Sequence, residues 1–137
     1  MAVLEFSMSA KRTATIVILL LLSSACNSGA PFIPVAGPFS GQLSHDSAAI
    51  GAFTLTYADG YLGGTGTLVP NGQTVTVAIS AVVSGSSING QMTNAAVGGG
   101  AFTGQFSERK HAYGDFDFTD TALQHKTTGT WTMDSTP

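Results

Sequence analysis

The sequence predicts an all-β protein, an antiparallel up-and-down eight-stranded β-barrel, on three observations. From Phe39 onward, apolar or glycine positions alternate at period two with Ser, Thr, Asn and Gln, as in strands with one buried face. Three turn signals, Asp59-Gly60, Asn71-Gly72 and Gly85-Ser86, set the register of the strands they join. Glycine recurs on the apolar face, where it lets strands bend and rings pack against backbone, as closing a sheet into a barrel requires.

Each element can be placed in order. Phe39, Gly41 and Leu43 form the inner face of a first strand. A tight turn at Asp59-Gly60 sets Tyr57 opposite Leu62, Leu55 opposite Gly64, Phe53 opposite Gly66 and Gly51 opposite Leu68. The Asn71-Gly72 turn pairs Leu68 with Val75, Gly66 with Val77 and Gly64 with Ile79, and the Gly85-Ser86 turn pairs Val83 with Ile88, Ala81 with Gly90 and Ile79 with Met92. Every apolar position then lies on one face, which a slip of one residue would destroy. A loop centred on Arg109 sets Gly100, Phe102, Gly104 and Phe106 against Phe118, Phe116, Gly114 and Ala112; Gly129, Trp131 and Met133 make the last strand. Eight strands enclose room for packed side chains or one small ligand. A two-sheet sandwich is the alternative. An outer-membrane barrel fits less well: its strands run about ten residues, several here read as roughly seven, and the chain ends Asp-Ser-Thr-Pro rather than on an aromatic residue.

Composition excludes other classes. Charged residues make up 9% of the chain, against about 25% in ordinary soluble domains. No stretch has helix-forming residues at helical spacing, and no clustered basic face exists for nucleic acid.

The N-terminal part reads as an export signal. Lys11 and Arg12 precede the apolar run Thr13 to Leu22, which is too short to span a bilayer that needs about 20 apolar residues. Met8 begins a neater basic region than Met1. The stretch Leu22-Ser-Ser-Ala-Cys26 resembles the lipobox of bacterial lipoproteins, with Ser23 where the family usually has leucine. The resemblance implies a signal peptide over residues 1–25, lipidation of Cys26, and a cell-envelope location held by an N-terminal lipid anchor. Asn27 is not the aspartate associated with inner-membrane retention, which points to the outer membrane. Residues 26–38 then comprise the lipidated cysteine and a Pro/Gly-rich tether, and residues 39–137 the barrel domain. Without Lys11, Arg12 and Glu5, three basic and seven acidic residues remain, a net charge near −4. Cys26 is the single cysteine, so no internal disulfide supports the fold. The run Gly100-x-Phe-x-Gly-x-Phe106 and its charged turn resemble the barrels of small bacterial lipoproteins, transferrin-binding-protein-type and calycin-like ones included, over residues 88–133.

No residue set promises catalysis. Ser44-His45-Asp46 holds the residue types of a triad, but neighbours in one segment cannot converge as nucleophile, base and orienter. His45, His111 and His125 fall in loops or at strand ends. Asp115 and Asp117 share one strand face about 7 Å apart, too far for a shared proton, and with Asp120 give too few oxygens for calcium. No phosphate loop, dinucleotide fingerprint or zinc spacing occurs, so neither cofactor nor metal is expected. Glu108, Arg109, Lys110 and His111 form the densest charged run and the candidate contact loop. Phe102, Phe116 and Trp131 are the candidate barrel lining, as core or as the wall of a ligand cavity. The expected function is non-enzymatic: binding of a protein or surface ligand, with carriage of a small apolar ligand or inhibition of an envelope enzyme as alternatives.

Overall fold

The computed structural model describes residues 33–137 apart from residue 71; the signal peptide, Cys26 and most of the tether lie outside the described residues. Eight strands follow in chain order: β1 (Gly37–His45), β2 (Ala48–Ala58), β3 (Tyr61–Leu68), β4 (Val75–Ser84), β5 (Ser87–Asn94), β6 (Gly98–Glu108), β7 (His111–Asp120) and β8 (His125–Ser135). Each pairs antiparallel with the next, and β1 pairs with β8 through Phe39↔Ser135 to Ser44↔Thr130. The sheet is a closed barrel rather than a sandwich.

The turn residues explain the register. Asp59 (φ 49°) and Gly60 (φ 85°) both adopt the left-handed conformation that a type I′ hairpin requires. The pairs Tyr57↔Leu62, Gly66↔Val77 and Ile79↔Met92 all match the register read from the turns. Around residues 71–72 the register holds although β3 ends at Leu68 and β4 begins at Val75, so the connection is longer than a two-residue turn.

Three features differ from expectation. The strands run 8 to 11 residues, not about seven; several ladders continue past the last inward apolar residue into polar positions, such as Ser84, Glu108 and Asp120. Strand length therefore does not separate this barrel from a membrane-spanning one. The segment before Phe39 is not tether throughout. Pro34 is buried, Val35 donates its N–H to the Arg109 carbonyl, and β1 already begins at Gly37. Finally, β2 carries a bulge at Ile50, since Leu43 pairs with Gly51 but Ser44 with Ala49.

Among the described residues, nineteen apolar side chains form the buried core. Trp131 stacks on Phe102, with ring centroids 4.4 Å apart and planes at 10°, and Phe53 meets both rings edge-on at 5.5 and 6.1 Å. Phe39 and Tyr57 meet Phe106 edge-on nearer the end where β1 begins. Burial of this kind contributes about 1.5–3 kcal/mol for each large side chain, which lets the fold stand without a disulfide. Among the described residues no buried side-chain polar atom lacks a hydrogen-bond partner.

Candidate binding surface

Phe102, Phe116 and Trp131, the candidate lining, are 0%, 3% and 1% exposed and belong to one packed cluster. Trp131 lies opposite Gly114 in the β7–β8 ladder, and Gly114 lies opposite Gly104 in the β6–β7 ladder. The indole occupies the space these two glycines leave: a Cβ on Gly104 would come within 2.6 Å of its ring. Its Nε1 donates to the carbonyls of Thr103 and Asp115, both at 3.1 Å. Phe116 covers Gly129 in the same way, 2.8 Å from where a Cβ would sit. The interior at these rings is filled.

The principal concavities among the described residues are open grooves on the outside. One, of about 700 Å³, crosses the outer wall of β5 to β8. Its floor is the facing pair Gly104 and Gly114, and its walls include Asn89, Gln105, Tyr113 and Asp115. Tyr113 is 43% exposed, and its hydroxyl accepts a hydrogen bond from Gln105 Nε2 at 2.6 Å. A second groove of about 410 Å³ adjoins it, sharing Thr103, Asp115 and Thr130. Thr103 and Asp115 therefore work on both sides of the wall, holding the indole with their carbonyls inside and lining the groove outside.

The candidate contact loop has structural duties. Arg109 Nε donates to the Ile33 carbonyl at 3.0 Å, while the Arg109 carbonyl accepts from Val35. The Lys110 carbonyl accepts the N–H of Ser135, and His111 Nδ1 lies 2.7 Å from an Asp134 carboxylate oxygen. The turn thus fastens the segment leading into β1 and the end of β8. Of its four residues, His111 also reaches the groove.

The other charged candidates are dispersed. His45 and His125 begin or end strands at the opposite rim, and both line a smaller pocket with Val69 and Pro70. Asp117 accepts the Ala101 N–H at 3.1 Å where the β6–β7 ladder skips Gly100 and Ala101. Asp120 accepts the N–H groups of Ala122 and Leu123, capping the turn before β8. Two of the three aspartates thus accept backbone N–H groups, while Asp115 lines both outer grooves.

Sequence reasoning passed over Tyr113, Gln105 and Asn89. Their outward parity was readable, since Ala112 and Gly114 face inward on either side of Tyr113. The facing of Gly104 and Gly114 was readable too, from the hairpin centred on Arg109; that they floor a groove was not, because its walls also come from β5 and β8. No known protein-family model matches the chain, and a comparison with curated proteins finds no match. The class is accordingly set by fold alone: a closed, eight-stranded, up-and-down antiparallel barrel with aromatic rings packed inside.

Proposed function

We propose that the chain is a non-enzymatic, lipid-anchored barrel of the bacterial envelope that binds a protein or surface ligand through its exterior. The observation that carries the reading is the stacked Trp131–Phe102 pair with Phe53 against it, which fills the part of the barrel where a carrier would hold its cargo. Recognition then falls to the outer wall, where the open grooves lie. The lipobox-like Leu22–Cys26 stretch supports anchoring, with acyl chains on Cys26 holding the barrel at a membrane. The outer membrane is the location favoured by Asn27.

The anchoring part is tested with Cys26→Ser. The variant is expected to lose radioactive palmitate labelling and to move to the soluble fraction. Retention in the membrane fraction with undiminished labelling would refute the lipoprotein reading.

A further inference from the structure

We infer that the groove over Gly104 and Gly114 is a binding site for a neutral saccharide, a short stretch of hexopyranose units. The inference rests on the reading of the exterior as the binding surface. Its size suits such a ligand: the groove spans β5 to β8, three strand spacings or about 14 Å, the length of two to three sugar rings. Its chemistry is equally selective. No Lys or Arg lines it, and the one basic side chain that does, His111, is already paired with Asp134, so an anionic phosphate or sulfate finds no free cationic partner there.

What it offers instead are planar amide and carboxylate groups beside an aromatic face. Asn89 and Gln105 present neutral amides, Asp115 a carboxylate and Thr103 a hydroxyl, all on the outer face of adjoining strands. Planar groups of this kind bridge vicinal hydroxyls by accepting and donating in pairs. Tyr113 supplies the flat apolar surface on which the C–H face of a sugar ring stacks. Its ring is held in place, since the Gln105 amide fixes the hydroxyl at 2.6 Å. A pre-positioned platform loses little rotamer entropy on binding. The floor of the groove is backbone, where Gly104 and Gly114 face each other with the Trp131 indole packed beneath them.

The test is an amide-resolved NMR titration of the full chain carrying Cys26→Ser with chitotriose, cellotriose and maltotriose, and with a sulfated heparin disaccharide as the charged control. At least one neutral trisaccharide is expected to saturate at about millimolar concentration or below, with shifts confined to β5–β8. Tyr113→Ala should weaken that binding roughly tenfold or more, while Tyr113→Phe, which keeps the platform, should stay within about threefold. No saturable shift with any neutral probe, shifts mapping elsewhere, stronger binding of the sulfated disaccharide, or a Tyr113→Ala variant that binds like the parent would each overturn the site. None of these results bears on Cys26 labelling, so failure of the saccharide site and failure of the anchoring reading are distinguishable.

Discussion

The barrel wall from β2 to β5 and the wall from β6 to β8 are built from the same alphabet but behave differently. In the first, ladders run without interruption and each inward glycine lies against the backbone or Cβ of its neighbour, as Gly90 does against Ala81. In the second, the β6–β7 ladder shifts register between Phe106 and Glu108 and skips Gly100 and Ala101, with the Asp117 carboxylate standing in for a backbone acceptor. There too an indole N–H reaches through to two carbonyls, and the groove over Gly104 and Gly114 opens on the outside. Irregular pairing and a candidate site coincide, as is common where sheets re-aim side chains.

The contrast can be broken experimentally at four positions. Trp131→Ala should cost about 3–5 kcal/mol in denaturant unfolding, because it empties the space over Gly104 and Gly114 and leaves two carbonyls without the indole donor. Gly114→Val should cost about 1–3 kcal/mol. A Cβ there meets the Thr103 carbonyl and comes within 2.6 Å of the Gly104 Cα, and backbone cannot give way as a flexible side chain can. Asp117→Ala should cost roughly 1 kcal/mol, the net worth of the bond to Ala101, and should speed hydrogen exchange at that amide. Thr65→Val, outward on the regular wall, should stay within about half a kcal/mol. If Thr65→Val and Gly114→Val unfold at the same denaturant concentration, the assignment of inner and outer faces fails.

Legibility followed the same division. On the regular wall, three turn signals and a period of two were enough to place each pair from Gly51↔Leu68 to Ile79↔Met92, because a single slip would expose the whole apolar set. The Asp46-Ser47 turn escaped notice because both residues take positive φ without a glycine to signal it. The bulge at Ile50 leaves no mark in a local pattern. Arg109 read as a solvent-facing charge, yet it holds residues 33 and 35, a contact between segments more than seventy positions apart. The groove was hidden for the same reason. Gln105 and Tyr113 face each other within the β6–β7 hairpin, but the remaining walls come from β5 and β8, and the β7–β8 pairing brings the Trp131 indole beneath Gly104.

The central claim is that the barrel is filled and that recognition happens on its outside. Titration of the folded protein with an environment-sensitive apolar dye tests it most directly. With Trp131, Phe102 and Phe53 in contact as described, the parent protein should take up no dye in saturable one-to-one fashion. Saturable, stoichiometric uptake by the parent, abolished in a Trp131→Ala variant that remains folded, would show an interior that holds a ligand and would contradict the account.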